Sequence, residues 1–293
     1  MNKKTKTRRQ YTSPFIDHDG IRPIVEAYYA QPDFNVLLVG DPGIGKTTFV
    51  SELAGGPERM VTVIGSKMMP NDLIGRMTLV NGETRFQDGL LTKSMREGLT
   101  CYIDELSGLD DACQRILYGV IDHRRELTIN ANSETIVAHE DFRLIASDNF
   151  SPSGAATLNR PFRDRFVHVY MNRLDRDTEH KLMIDQYGLE DADAEWLLAV
   201  AAVTRRANNS VGATTRQLEL CSLAIASGVP RKVAAQHTLL GSIAGNSRQQ
   251  FEQLVQLVRA EGLDLDEVWL SKQEMDQFDD LEFVRSEEST NSR

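Results

Sequence analysis

The segment GDPGIGKT, residues 40–47, has the residue types and the spacing of a loop that holds phosphate groups, G-x-x-x-x-G-K-[ST]. Glycines leave room for backbone N–H groups to converge on phosphate oxygens, and a helix that starts after the last glycine points its positive end at the same anion. A lysine at this position reaches the β- and γ-phosphates, and the hydroxyl that follows it binds Mg²⁺. The sequence therefore predicts a site for Mg-ATP. The residues predicted to contact the nucleotide are Gly40, Asp41, Pro42, Gly43, Ile44, Gly45, Lys46, Thr47 and Thr48.

Two acids that follow an apolar segment predict the hydrolysis chemistry. Asp104 and Glu105 come directly after LTCYI, residues 99–103, which is typical of a buried strand. Hydrolysis needs an acid that holds the metal and a group that orients the attacking water. The end of a parallel strand is where ligands bind in an open sheet. Asp104 is therefore expected to hold Mg²⁺ together with Thr47, and Glu105 to polarise the water, although such a pair taken alone is often only a solvated loop.

Further along, an asparagine and three arginines are candidates with alternatives. Asn149 ends the segment FRLIASDN; it either shares the water or the γ-phosphate with Glu105 or merely begins a turn. Arg160, Arg163 and Arg165 cluster before the next apolar segment. One of them could reach the γ-phosphate of a neighbouring subunit, since such a finger is worth ~10³–10⁵ in rate. For any single one of the three, a surface salt bridge is the alternative interpretation.

The elements that position these residues follow from hydrophobic periodicity. In the first half, apolar segments alternate with helical patterns, which predicts βαβ units and a parallel sheet. The predicted strands are 36–39, 60–64, 100–103, 142–146 and 166–170, and the predicted helices are 46–54, 91–97 and 110–121. Asn81-Gly82 predicts a tight hairpin, because both residues accept positive φ angles, and a second hairpin is predicted over 127–137.

Beyond about residue 173 the pattern is helical only, and the predicted helices are 177–186, 192–208, 214–227, 231–243 and 249–261. The expected fold class is α/β: a parallel-sheet nucleotide domain followed by a smaller all-helical lid domain. The predicted division is a basic tail at 1–19, the nucleotide domain at 20–173, the lid at 174–262 and an acidic tail at 263–293.

Composition and charge narrow the function classes. The formal net charge is −10, and an acidic body disfavours nucleic acid as a partner. No apolar segment approaches the ~20 residues that a membrane-spanning helix needs, so membrane insertion is not expected. Three scattered cysteines make no disulfide framework and no zinc motif. These features predict a cytoplasmic protein.

An ordered set of segments resembles those of a known family. The most specific is DLIGRMTLVNGETRFQDGLLTKSMREGLTCYIDE, residues 72–105. The segments DHRRELTI (122–129) and AHEDFRLIASDN (138–149) follow, and GATTRQLELCSLAIASGVPRKVAA (212–235) is similar to a helical lid. In this order they resemble the AAA+ ATPases of the MoxR branch, and within it the CbbQ/NorQ/NirQ group.

The resemblance implies roles and partners that the residues alone leave open. Asn149 matches the sensor-1 position, Arg165 best matches the arginine finger, and Arg216 matches the sensor-2 arginine. The family implies a homo-oligomeric ring, commonly a hexamer, with ATP between subunits. It also implies a chaperone-like motor that activates a metalloenzyme client together with a partner that carries a von Willebrand factor A domain.

Two other functions remain open from the sequence. The first is the ATPase subunit of a metal chelatase, because cobaltochelatase small subunits are similar in the DLIG block and in FQDGLL. The second is a nucleotide-gated scaffold that binds ATP without turning it over, against which the intact Asp104-Glu105 pair argues.

Overall fold

The computed structural model describes residues 14–150, 158–207 and 212–265. They form two compact units that divide between Arg173 and Leu174. The N-terminal residues 1–13 and the C-terminal residues 266–293 lie outside the described part, and so does most of each predicted tail.

A five-stranded parallel sheet forms the centre of the first unit. The strands of this unit, in chain order, are β1 (Asn35–Gly40), β2 (Met60–Ile64), β3 (Gly75–Val80), β4 (Glu83–Asp88), β5 (Thr100–Asp104), β6 (Glu126–Ile129), β7 (Glu134–Val137), β8 (Arg143–Asp148) and β9 (Phe166–Met171). The sheet has the order β2-β5-β8-β1-β9, and each neighbouring pair is parallel. The parallel sheet predicted from the sequence is therefore confirmed.

Parallel pairing brings the carboxyl ends of these strands to one edge. Ile64 is in register with Asp104, and Val39 is in register with Asp148. Residues that are far apart in sequence, at the ends of β1, β2, β5 and β8, therefore lie side by side.

Helices cover the sheet, and its two faces bury separate groups of side chains. The helices of the first unit are α1 (Arg22–Tyr29), α2 (Lys46–Leu53), α3 (Pro70–Ile74), α4 (Leu90–Glu97), α5 (Asp111–Val120) and α6 (Arg160–Arg163). Because side chains alternate along a strand, Leu38 packs with Phe49 of α2 on one face, whereas Leu37 packs with Met95 and Leu117 on the other. Helices α1, α3 and α6 lie outside the helices that the sequence predicted.

Two antiparallel hairpins project from this unit. β3 pairs with β4, and β6 pairs with β7. In the first hairpin, the turn residues Asn81 and Gly82 have φ angles of 53° and 82°, the positive values that an Asn-Gly turn requires. Leu79, next to this turn, is 74% exposed.

The described residues of the second unit are helical, as predicted. The α-helices are α7 (Arg176–Tyr187), α8 (Asp191–Ala207), α9 (Thr215–Ala226), α10 (Arg231–Ala235), α11 (Gly241–Ala244) and α12 (Arg248–Ala260). The predicted helix at 231–243 is α10 and α11 joined by a π-helical turn, Gln236–Leu240. None of the helices in the described residues has the length and apolar character that crossing a bilayer needs.

A buried ion pair ties three segments of the second unit together. Glu179 of α7 is fully buried and accepts two hydrogen bonds from Arg205 of α8, both of 2.8 Å. The Thr215 hydroxyl, at the first residue of α9, donates to the same carboxylate at 2.9 Å. Arg205 Nε also donates to the Ala213 carbonyl at 2.9 Å. This network fixes the start of α9, the helix that carries Arg216.

Candidate nucleotide site

The predicted phosphate loop connects the sheet to a helix directly. β1 ends at Gly40 and α2 begins at Lys46. Gly43 and Gly45 have φ angles of 78° and 93°, the left-handed region that glycine adopts without strain. Gly40 is packed closely, since a Cβ there would lie 2.6 Å from the Met171 carbonyl oxygen. The loop therefore has the backbone conformation and the helix N-terminus that a phosphate-binding loop needs.

The lysine of this loop is held at the edge of the sheet. Lys46 is 8% exposed, and its Nζ donates to the carbonyl oxygens of Gly40 and Asp41 at 2.7 and 3.0 Å. It also donates to Asn149 Oδ1 at 3.0 Å. The side chain of Asp41, in turn, accepts a bond of 2.9 Å from Arg173, just after β9. The structure thus brings Lys46 and Asn149 together, although more than a hundred residues separate them.

The two predicted metal ligands are linked through a buried tyrosine. The Tyr102 hydroxyl lies 3.3 Å from Thr47 Oγ1, 3.2 Å from Asp104 Oδ1 and 2.8 Å from Ser147 Oγ. Ser147 Oγ donates to Asp104 Oδ1 at 2.6 Å. Burial raises the pKa of Tyr102 to about 12, so that its hydroxyl keeps its proton near neutral pH.

The chemistry of this donor set fits Mg²⁺. A hydroxyl and a carboxylate are oxygen ligands, which this hard cation prefers, and Mg²⁺ usually completes its shell with water and substrate phosphates. The described residues contain no group of three or more His, Cys, Asp or Glu side chains that could hold a metal ion.

Glu105 has an unusual backbone conformation at the end of β5. Its φ and ψ angles are 58° and 59°, in the left-handed region that non-glycine residues seldom adopt. Its exposed carboxylate accepts a hydrogen bond of 3.0 Å from Ser66 Oγ. Glycines permit this contact: a Cβ on Gly65 would collide with the Glu105 carbonyl, and one on Gly108 would lie 2.8 Å from the Ser66 amide nitrogen.

A second carboxylate connects the loop after Glu105 to Asn149. Asp148 accepts hydrogen bonds from the Ser107 amide and hydroxyl, at 3.1 and 2.8 Å. Asp148 also accepts a hydrogen bond of 3.0 Å from the backbone amide of Asn149. Asn149 is therefore positioned from both sides, by Lys46 and by Asp148.

The three candidate arginines differ in what their guanidinium groups contact. Arg165 lies 4.8 Å from the centre of the Tyr118 ring and donates to the Pro161 carbonyl at 2.5 Å. Arg160 is exposed, and its guanidinium lies 3.7 Å from the Asp164 carboxylate, a long ion pair. The guanidinium of Arg163 is exposed and has no partner among the described residues.

Arg216 belongs to the second unit and lies on α9. The helix begins with a capping box in which Thr214 and Gln217 bond each other's backbone amides. Arg216 is exposed. Burial raises the pKa of Glu219, one helical turn on, and the charge of Arg216 partly offsets that rise.

Sequence reasoning missed four residues of this site: Ser66, Tyr102, Ser147 and Asp148. Each lies within two residues of a predicted strand end or inside a predicted strand, but no motif marks it. Residues before α1 were missed as well: Phe15 stacks on Phe49 of α2 at 4.3 Å, beside Gly45 of the phosphate loop.

A parallel sheet with a glycine-rich loop after β1 and an acidic pair at the carboxyl end of β5 defines a P-loop ATPase. The family model for the AAA domain of the dynein-related subfamily matches residues 35–166. Protein CbbQ of Hydrogenophilus thermoluteolus is 29% identical over 221 residues, which are 73% of this chain and 82% of CbbQ. Protein NorQ of Paracoccus denitrificans (strain Pd 1222) is 33% identical over 190 residues, 64% of this chain and 70% of NorQ.

A third relative is an uncharacterized protein of Staphylococcus aureus (strain NCTC 8325 / PS 47), 30% identical over 169 residues, 54% of this chain and 62% of that protein. The chain belongs to the AAA+ ATPases of the MoxR branch, in the group that contains CbbQ and NorQ. The resemblance given by the sequence segments is confirmed, and the protein is an ATPase.

Proposed function

We propose that this chain is a ring-forming ATP-driven motor, chaperone-like in its action, that activates a metalloenzyme client together with a protein that carries a von Willebrand factor A domain. The observation that carries the ATP-driven part is the convergence of Lys46, Asp104, Glu105 and Asn149 at one edge of the sheet. Similarity to CbbQ and NorQ supports the client-activating part. The proposed ring is a homo-hexamer, and the proposed location is the cytoplasm.

The proposed nucleotide contacts are those of the loop from Gly40 to Thr48. Lys46 would exchange its present carbonyl and amide partners for phosphate oxygens, which are better acceptors because they are charged. Thr47 and Asp104 would hold Mg²⁺. Bound there, Mg²⁺ would neutralise charge on the β- and γ-phosphates.

Glu105 is the proposed group that orients and polarises the attacking water. The hydrogen bond from Ser66 holds one of its oxygens, Oε2, and leaves Oε1 to accept from water. Asn149, fixed by Lys46 and Asp148, is proposed to contact the γ-phosphate or the same water. Arg216 is proposed to contact the nucleotide from the second unit.

An arginine is proposed to act on the γ-phosphate bound by a neighbouring subunit. The family resemblance and the geometry of the single chain favour different residues for this role. The family resemblance assigns this role to Arg165, whose guanidinium is already engaged by Tyr118 and Pro161. The geometry of the single chain adds Arg163, whose exposed guanidinium is available to a phosphate on a neighbouring subunit. Arg165 therefore stays the prediction, and Arg163 is its competitor.

A mixing experiment tests the ring and the arginine together. Purified Glu105→Gln and Arg165→Ala proteins are expected to be inactive alone and to regain part of the ATPase activity when mixed, because some interfaces then pair an intact glutamate with an intact arginine. Arg163→Ala is mixed in parallel. If the mixture with Arg163→Ala regains activity and the mixture with Arg165→Ala does not, the arginine finger is Arg163 rather than Arg165. No recovery in mixed rings whose formation is verified by mass photometry would contradict action in trans.

The client is tested separately from the motor. A gene for a von Willebrand factor A protein beside this gene, and co-purification of the two products, would support the proposal. A neighbouring gene for a large chelatase subunit, together with ATP-dependent metal insertion by the pair, would favour the chelatase instead.

A further inference from the structure

The side chains of Thr47, Tyr102, Ser147 and Asp104 restrict one another's proton positions. Asp104, as a carboxylate, accepts but does not donate. Ser147 gives its single proton to Asp104 at 2.6 Å, so the Ser147 oxygen can only accept from Tyr102, at 2.8 Å. Asp104 Oδ1, at 3.2 Å, is a second acceptor for the Tyr102 proton. With either acceptor the single Tyr102 proton is used, so the Tyr102 oxygen accepts from Thr47 at 3.3 Å. The result is a hydrogen-bond chain that runs from Thr47 to Tyr102 and on to Asp104, with Ser147 donating to the same carboxylate oxygen.

The direction of these hydrogen bonds determines which lone pairs the two proposed metal ligands, Thr47 and Asp104, can offer to a cation. A hydroxyl that binds a cation must turn its proton away and offer a lone pair. Thr47, by donating inward to Tyr102, has its lone pairs free on the side away from the sheet. Asp104 accepts Ser147 on Oδ1, which leaves Oδ2 as an acceptor for a water on the metal.

The two groups in the middle of this hydrogen-bond chain, Tyr102 and Ser147, are held rigidly. Tyr102 and Ser147 are both fully buried, on the adjacent strands β5 and β8. The phenol ring is packed among the apolar side chains that also bury Phe49 of α2, so its hydroxyl has a fixed position. Two ligands that come from separate elements, α2 and β5, are thus held by groups that cannot move independently.

We propose that Tyr102 and Ser147 are positioning residues for Mg²⁺, which set the proton orientation of Thr47 and the rotamer of Asp104 before the metal arrives. This inference rests on the proposed metal-binding role of Thr47 and Asp104. Groups that orient metal ligands typically contribute 10–100-fold to metal affinity. Removing the Tyr102 hydroxyl should therefore weaken Mg²⁺ binding about 10-fold and leave metal-free nucleotide binding unchanged.

The test measures nucleotide affinity rather than turnover. The dissociation constant of a fluorescent ADP is measured in EDTA and over a Mg²⁺ titration, for the wild type, Tyr102→Phe, Ser147→Ala and the double variant. Tyr29→Phe is the matched control, because it removes a tyrosine hydroxyl that bonds Thr100, at the opposite end of β5, at 2.7 Å.

In Tyr102→Phe the half-saturating Mg²⁺ concentration should rise about 10-fold, with the EDTA value of the dissociation constant equal to that of the wild type. Tyr29→Phe should behave as the wild type. The double variant should lose no more than the larger single loss, because both residues act through one chain. If Tyr102→Phe does not fold, the Ser147→Ala comparison carries the same expectation.

A Mg²⁺ response in Tyr102→Phe and Ser147→Ala that equals the wild-type response would overturn this inference and leave the proposed metal site intact. A wild-type protein whose nucleotide affinity does not depend on Mg²⁺ would overturn the metal site and the inference together. A loss of affinity in EDTA as large as the loss in Mg²⁺ would show that the hydroxyl acts on the fold of the loop rather than on the metal.

Discussion

The backbone of Glu105 allows the conformational cost of a proposed catalytic residue to be measured. Its φ of 58° places a side chain where only glycine is free of strain. We compare three substitutions: Glu105→Gln, Glu105→Ala and Glu105→Gly. All three remove the carboxylate, and Ala and Gly also remove the hydrogen bond from Ser66. The Ala and Gly variants therefore differ only in the presence of a Cβ.

The magnitude follows from two opposing effects. A left-handed conformation costs an L-residue ~1–2 kcal/mol. Glycine, in turn, loses about 0.5–1 kcal/mol more backbone entropy on folding. The net expectation is that Glu105→Gly is more stable than Glu105→Ala by about 0.5–1 kcal/mol. For a unit of this size the thermal midpoint should rise by about 1–4 °C. Hydrolysis should fall ~10²–10⁴-fold in all three variants.

Calorimetry of the nucleotide-free proteins measures the difference. Tryptophan fluorescence would not serve, because both tryptophans, Trp196 and Trp269, come after the first unit in the chain. Turnover is measured in parallel by steady-state phosphate release, and ATP binding by titration. Binding should persist in all three variants, whereas turnover should nearly stop. Equal or greater stability of Glu105→Ala would refute the strain argument, and wild-type turnover in Glu105→Gln would place the catalytic role on another residue.

Two further substitutions test the phosphate loop and the core of the second unit. Lys46→Ala should abolish measurable ATP binding by calorimetric titration, because the phosphates lose their main cationic partner; wild-type affinity would contradict the loop assignment. Arg205→Met should lower the free energy of unfolding of the second unit by ~3–5 kcal/mol in urea, because it leaves the fully buried Glu179 without its cation. Arg206→Met is its control: Arg206 pairs with Glu261 at the surface, at 3.3 Å, and should change stability by less than ~1 kcal/mol. If Arg205→Met and Arg206→Met lowered the free energy of unfolding equally, the argument that burial makes the Arg205 ion pair more important would be wrong.

Local signals predicted local structure well. Asn81-Gly82 requires positive φ angles, and the turn of the first hairpin has them. The apolar segment at 60–64 forms β2 over those residues. Helix α1 escaped prediction, although Pro23 and Asp17 mark its start: the Asp17 carboxylate accepts from the Ile21 and Arg22 amides. The helix at 231–243 was predicted, but its π-helical turn has no local signature.

The sequence by itself determined the phosphate loop and the acidic pair, because each is a run of neighbouring residues whose spacing along the chain is the spacing the chemistry needs. It did not determine what those residues contact. Ser66 meets Glu105, Ser147 meets Asp104 and Lys46 meets Asn149 only because the strand order β2-β5-β8-β1 places distant strand ends next to one another. Strand order depends on how the apolar side chains of the whole sheet are buried. The polar groups at the strand ends contribute little to that burial. The orientation of the metal ligands and the choice among the three arginines are therefore properties of the tertiary structure.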